Sequence, residues 1–293
     1  MIYVNKLKLV SEFDEIEFMK NEKRSYFNTF YPFKIFTDKG LPVVNFGHIT
    51  MLYGGNGSGK STLVNILADK INANRYSQYN DAPLFNTYTS MCSVEYNRRP
   101  LVRCVLTSDD VFDYVLKARS VNDGIDRRRN NLVDKYIAVK RESSMNPYSN
   151  QLKSLDDYER WKETRQILSP ANSQSKYVKD RVPRDIDLFS NGETAMKYFV
   201  DSIDADGVYI LDEPENSLSI ERQIELSQYI QATARLMQSQ FIIATHSPVL
   251  LSMKGAVIYN LDAYPVQTCQ WTQLPNVRKY YDFFMEHSEE FDS

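Results

Sequence analysis

Two kinds of apolar pattern alternate along the chain. Short runs such as Ile49, Met51, Leu52 and Tyr53, Val208 to Leu211, and Phe241 to Ala244 have the length and continuity of buried strands. Elsewhere apolar residues recur every three or four positions. Leu63, Ile66, Leu67 and Ile71 form one such stripe, Phe199, Val200 and Ile203 continue another, and Ile220 to Met237 spans the interval between two strand runs. Strands that alternate with helices predict crossover connections and a mostly parallel sheet. Residues 107–118 are predicted helical because Val111, Phe112, Val115 and Leu116 share a face. Ser154 to Leu168 reads as a further helix, with Ser154 and Asp157 as its cap and Leu155, Tyr158 and Trp161 as its stripe. Ser143 to Gln151 and Ser169 to Ser175, rich in Ser, Asn, Gln and Pro, read as loops. The apolar runs fall far short of the roughly 20 residues of a spanning helix, so no direct membrane insertion is expected.

Composition narrows this picture without redirecting it. The 293 residues are 42% hydrophobic and 25% charged, which suits a globular chain with a sizeable core. We expect a single domain over 1–293 with a helical, variable insert over 107–187. Thirty-five Lys and Arg against 38 Asp and Glu give a formal charge of −3, so polyanion binding would require a local patch. Arg127-Arg128-Arg129 is the most basic run, with Lys140-Arg141, Arg181 and Arg184 as further basic positions; such runs are ordinarily solvated helix faces. Cys92, Cys104 and Cys269 are odd in number and widely spaced, which favours reduced, packed thiols over a disulfide or zinc framework. Met1 to Val10 has no apolar signal-peptide core, so a cytoplasmic location is expected.

The chemistry begins with glycine. Four of the ten glycines lie within six positions, in Gly54-Gly55-Asn56-Gly57-Ser58-Gly59-Lys60-Ser61-Thr62, which fits the Walker A pattern G-x-x-x-x-G-K-[ST] between a strand run and a helical stripe. Residues without a Cβ let consecutive N–H groups curl around phosphate oxygens at a helix N-terminus. Lys60 is then expected to reach the β- and γ-phosphates, and Ser61 to offer its hydroxyl to Mg²⁺. Val208 to Leu211 delivers Asp212 and Glu213 at a strand's C-terminal end, the edge where ligands bind in such sheets. Asp212 is the candidate metal carboxylate, and Glu213 the candidate general base for an attacking water. His246 follows the next strand run and could sense the γ-phosphate. Ser190 and Glu193 form a Ser-x-x-Glu capping box, and the same helix tip, with Gly192, could hold a phosphate; spacing does not separate the two readings.

Taken in order, the phosphate loop, Ser190-Asn191-Gly192-Glu193, Asp212-Glu213-Pro214-Glu215 and Thr245-His246-Ser247-Pro248 resemble the ATP-binding-cassette class of P-loop ATPases. Within it, the chain is most similar to stand-alone prokaryotic ATPases assigned to the AAA family, over residues 30–286. The resemblance implies an α/β P-loop NTPase fold with a mostly parallel central sheet, an antiparallel N-terminal β portion and a helical signature-bearing subdomain. It implies ATP and Mg²⁺ as cofactors, Ser190 as the start of the signature, Asn216 to Ser219 as the D-loop and His246 as the switch histidine. It further implies an ATP-dependent homodimer in which Ser190, Gly192 and Glu193 of one chain close over the triphosphate on the other.

Departures from the family pattern are concentrated in the signature, which reads Ser-Asn-Gly-Glu rather than Ser-Gly-Gly-Gln, and in the D-loop, which ends in Ser219 rather than aspartate. No standard Q-loop is present, the nearest equivalent being Thr107-Ser108-Asp109-Asp110. Phe30, Tyr31, Phe33 and Phe36 all qualify as the adenine-stacking aromatic. No sustained heptad run is expected, so long coiled-coil arms are not. Three uses stay open: an ATPase switching a partner protein or nucleic-acid process, in defence or repair; the motor of a membrane transporter, for which the missing Q-loop and standard signature count against; and a non-hydrolysing ATP-gated binding module.

Overall fold

The computed structural model describes residues 2–22, 29–77, 79, 82–146, 158–183, 191–203 and 206–291. The chain divides into two compact units, Met1–Asp113 with Ser190–Ser293, and Tyr114–Phe189.

The first unit is built on two sheets. A three-stranded antiparallel sheet has β1 (Val4–Lys8) between β2 (Val43–Asn45) and β4 (Ser93–Tyr96), with α1 (Glu12–Asn21) connecting β1 to β2 along the chain. A six-stranded sheet runs β5 (Val102–Thr107), β6 (Gly207–Asp212), β7 (Gln240–Ala244), β3 (Ile49–Tyr53), β8 (Val257–Asn260) and β9 (Gln267–Thr268), parallel throughout except at β9. The expected fold class, a mostly parallel α/β sheet with an antiparallel N-terminal β portion, is therefore what the chain adopts. The strand runs read from sequence are β3, β6 and β7, which lie in the middle of the sheet with Met51, Leu52, Val208 to Leu211 and Phe241 to Ala244 buried. Burial on both faces is why they read as continuous apolar runs rather than alternating ones. At the start of β6, the Cβ that Gly207 lacks would stand 2.7 Å from the Val102 carbonyl oxygen, so only glycine lets β5 and β6 approach this closely.

Helices cover both faces. On one side α2 (Lys60–Ile71) joins α3 (Phe85–Met91) and the N-terminal strands around Leu63, Ile66, Leu67 and Ile71. On the other, α7 (Asn191–Ser202) and α8 (Ile220–Leu236) bury Ala195, Phe199, Leu226 and Ile230, with Ile203 just after α7, against Tyr209, Leu211, Phe241 and Ile243. After β8 and β9 the chain ends in α10 (Pro275–Glu286) and α11 (Ser288–Phe291), and a single helical turn, α9 (Pro248–Leu251), follows β7.

In the insert region the sequence expectations need three corrections. The helix expected over 107–118 is α4, Ser108–Met145, 38 residues and about 57 Å long at 1.5 Å per residue. Its continuation was hidden because charged residues dilute the stripe, yet Val111, Ala118, Ile125, Leu132 and Val139 fall seven residues apart. A coiled-coil seam needs a second apolar position in each seven, and here that position is interrupted by Arg128 and Arg129, so the expectation of no sustained heptad run stands. In the second unit Leu132, Val133, Tyr136 and Val139 pack with Ile167, Tyr177, Val178 and Val182, so this part of the helix finds its apolar partners within the unit. The second correction concerns Ser143 to Met145, expected as loop, which close this helix; residues 147–151 lie outside the described ones. Third, Gln174 and Ser175, expected at the end of a loop, begin α6 (Gln174–Lys179), which Ser173 caps through its side chain on the Lys176 N–H. The helix expected from Ser154 is α5, Tyr158–Leu168, and its expected cap, Ser154 and Asp157, lies outside the described residues.

Candidate nucleotide site

The parallel strands β3, β6 and β7 deliver the expected site residues to one edge of the sheet. Tyr53 ends β3, and the next residues form a loop that closes on α2 at Lys60. Gly54 admits no side chain, since a Cβ there would lie 2.5 Å from the Ser58 Oγ. Gly57 and Gly59 hold φ of +79° and +95°, a region that side chains disfavour. The loop, together with Lys60, Ser61, Thr62 and Glu213, encloses a cavity of about 210 Å³. Apart from Glu213, its lining residues stand at or just before the start of α2, and the N-terminus of a helix favours phosphate oxygens.

Lys60 is buried, and its Nζ donates to the Gly54 carbonyl at 2.7 Å and the Gly55 carbonyl at 3.2 Å. It also stands 3.3 Å from the Glu213 Oε1. From the other side, the Ser61 Oγ donates to the Asp212 Oδ1 at 3.3 Å. Hydroxyl and carboxylate oxygens converging in this way are a donor pair of the kind a hard divalent ion uses when phosphates and waters supply the remaining ligands. Burial is the first cause, and Glu213 a further one, that pushes the Asp212 carboxyl up to about 6 against the opposing hydrogen bond from Ser61 and the charge of Lys60.

Glu213 sits in the left-handed region, at φ 49° and ψ 51°, which is uncommon for a residue with a side chain and is found where the surroundings over-determine the backbone. Its N–H donates to the Ala244 carbonyl at 2.9 Å, and its Oε2 accepts from the Asn216 amide at 3.0 Å. Asn216, expected in the D-loop, thereby fixes the carboxylate. Ser219, also expected there, caps α8 on the Arg222 N–H. His246 is anchored by a residue to which sequence reasoning assigned no role. Glu215 is buried, and its Oε1 accepts from the Thr245 hydroxyl at 2.7 Å and the His246 N–H at 2.8 Å while lying 3.2 Å from the His246 Nδ1. A proline-flanked Asp-Glu-Pro-Glu was the available signal, but which strand end the second glutamate would reach is a tertiary matter.

Other expectations sort differently. Ser190 lies outside the described residues; Gly192 and Glu193 occupy the first turn of α7, where Glu193 pairs with Arg222 at 3.1 Å. Thr107 and Asp110, weighed as a Q-loop equivalent, cap α4 reciprocally: the Thr107 N–H donates to Asp110 at 2.8 Å and the Asp110 N–H to the Thr107 Oγ1 at 3.1 Å. Of the four aromatics, Phe33 and Phe36 are core residues, with Phe33 stacked on Phe18 at 4.6 Å. Phe30 is exposed, and Tyr31 donates its hydroxyl to the Thr62 Oγ1 at 3.0 Å. Arg75 was missed altogether. Its guanidinium lies 4.2 Å from the centre of the Tyr79 ring, donates to Asn65 at 2.9 Å and adds positive charge near Asp110 and Asp212.

Comparison with known proteins covers the part of the site that lies after the phosphate loop, including Asp212, Glu213 and His246. A family model described as "AAA domain, putative AbiEii toxin, Type IV TA system" matches residues 68–252, more than half of the chain. No curated protein matches. Similar solved structures include the Smc head domain from Pyrococcus furiosus with an extended coiled coil bound to the C-terminal domain of ScpA, at 13% identity over 100% of both chains with a TM-score of 0.42. They also include the SMC head domain from Thermotoga maritima, at 14% identity over 88% of this chain and 94% of that one with a TM-score of 0.40.

Proposed function

The chain is a member of this AAA-domain family and a P-loop ATPase, and from that premise we propose that it binds Mg²⁺-ATP in the Gly54–Thr62 loop, hydrolyses it, and uses the cycle to control its own pairing. The observation that carries the reading is the convergence on one cavity of the Lys60 ammonium and the Glu213 carboxylate, 3.3 Å apart, beside the Ser61–Asp212 pair. Gly54, Asn56, Gly57, Ser58, Gly59 and Thr62 supply the backbone cradle, and Lys60 neutralises the β- and γ-phosphates. Ser61 and Asp212 would hold Mg²⁺, which when bound offsets charge on the phosphate oxygens. Tyr31, tied to Thr62 at the start of α2, is the aromatic best supported for the adenine ring.

In the reaction, an attacking water gives its proton to Glu213 as its oxygen bonds to the γ-phosphorus, and the bond to the β-phosphate bridging oxygen breaks. Lys60 aims one oxygen of Glu213, and Asn216 fixes the other. His246, oriented by Glu215, reads the γ-phosphate. Ser190, Gly192 and Glu193 of a second copy cap the triphosphate, so a two-fold dimer contains two shared sites. The family's link to a toxin–antitoxin system supports a defence setting, with a protein or nucleic acid as the process switched.

The test is Glu213→Gln. The variant should bind ATP, lose hydrolysis by about a hundredfold or more, and accumulate as a dimer on a sizing column with ATP. Undiminished hydrolysis would remove Glu213 from the role of base.

A further inference from the structure

Two charged residues that belong to no motif grip the phosphate loop from outside. The Lys39 Nζ donates to the Ser58 carbonyl at 2.7 Å and to the Leu261 carbonyl at 2.6 Å. Asp262 accepts from the Gly55 N–H at 2.8 Å. The segments that carry them are themselves fastened: the Val266 N–H donates to the Lys39 carbonyl at 2.9 Å, and the Leu261 N–H to the Tyr53 carbonyl at 2.8 Å. Gly40, next to Lys39, adopts φ +62° beside Pro265, whose Cβ lies 3.1 Å from the place a Gly40 side chain would begin.

The two contacts act on different peptides. A trans peptide is planar, so its C=O and N–H point in opposite directions. With the Ser58 carbonyl fixed on Lys39, the Gly59 N–H of the same peptide is aimed away from Lys39, where it is free to meet the triphosphate of the proposed site. Gly59, at φ +95°, could otherwise turn this peptide at little cost. At the other end, Asp262 takes the Gly55 N–H, so this donor faces a carboxylate and not the nucleotide. Burial lowers the Lys39 pKa and Asp262 raises it, so the aspartate favours the charged ammonium that both carbonyls require.

We propose that Lys39 is a positioning residue for ATP binding: it orients the Ser58–Gly59 peptide so that its N–H meets the triphosphate, with Asp262 fixing the entry of the loop. The inference rests on the reading of the loop as the ATP site. A purely architectural lysine would tie residue 39 to the end of β8 and leave nucleotide affinity alone.

The two are separated in the full chain by Lys39→Met, Lys39→Arg and Asp262→Asn, using calorimetric binding of a non-hydrolysable ATP analogue with Mg²⁺, steady-state hydrolysis and thermal melting. Lys39→Met should weaken analogue binding and raise the KM for ATP by about tenfold, with a much smaller change in kcat, the signature of lost uniform binding. Lys39→Arg, which can still donate to both carbonyls, should recover most of that loss, and Asp262→Asn should fall between. If Lys39→Met does not fold, Lys39→Gln, which keeps donors but not the charge, carries the same expectation of weakened binding. Analogue affinity within twofold of the parent in the folded Lys39 variant, whatever its melting temperature, would overturn the proposal. A parent protein that itself fails to bind the analogue would instead overturn the ATP-site reading on which the proposal stands.

Discussion

Asp212→Asn tests the electrostatics of the site without a ligand. Burial moves this carboxyl from 3.8 to about 6. A raised carboxylate pKa means that the folded chain binds the proton more tightly than the unfolded chain. Ionisation therefore costs stability as pH rises from about 4 to about 6, and the full cost persists above that window. About two pKa units correspond to about 3 kcal/mol at most, and partial solvent access reduces this to about 1–2 kcal/mol. Asparagine keeps the shape and removes the charge. Without nucleotide and with EDTA, Asp212→Asn should melt about 2–5 °C above the parent at pH 8 and near the parent at pH 4. Thermal melts at half-unit pH steps measure the difference. A gap between the two proteins that does not change from pH 4 to pH 8 would refute the claim that the buried charge is costly. The same variant should bind Mg²⁺-ATP worse than the parent, because the charge that costs stability is the one expected to hold the metal.

Three further outcomes are expected. Gly54→Ala places a Cβ 2.5 Å from the Ser58 Oγ and should weaken ATP binding at least tenfold as the loop deforms, which calorimetry would read. Gly207→Ala forces β5 and β6 apart at Val102 and should destabilise the chain by about 1–3 kcal/mol in urea unfolding, and an unchanged midpoint would show that the strand ends yield freely. Ser190→Arg should bind ATP as a monomer but fail to dimerise with it; equal dimer yield in light scattering would defeat the shared-site assignment.

Local pattern determined much of this protein. The strands β3, β6 and β7 were legible because burial on both faces makes them uninterrupted apolar runs, and the phosphate loop because it needs glycine at fixed spacing. That Lys60, Ser61, Asp212 and Glu213 stand at the ends of strands and loops could be read in advance because each follows directly from a strand or loop whose end is readable. The full length of α4 was not, since a polar-rich helix shows its seven-residue stripe only when its partners, Ile167 and Tyr177 among them, are known. Lys39, Arg75 and Asp262 carry no motif at all. Their contacts join residues far apart in sequence, as between Gly55 and Asp262, and a hydrogen bond of that kind leaves no periodic trace in the chain. Which carboxylate would be paired and which buried was likewise decided only when parallel strands brought Asp212, Glu213 and Glu215 to one edge, because desolvation and charge pairing depend on neighbours that only folding supplies.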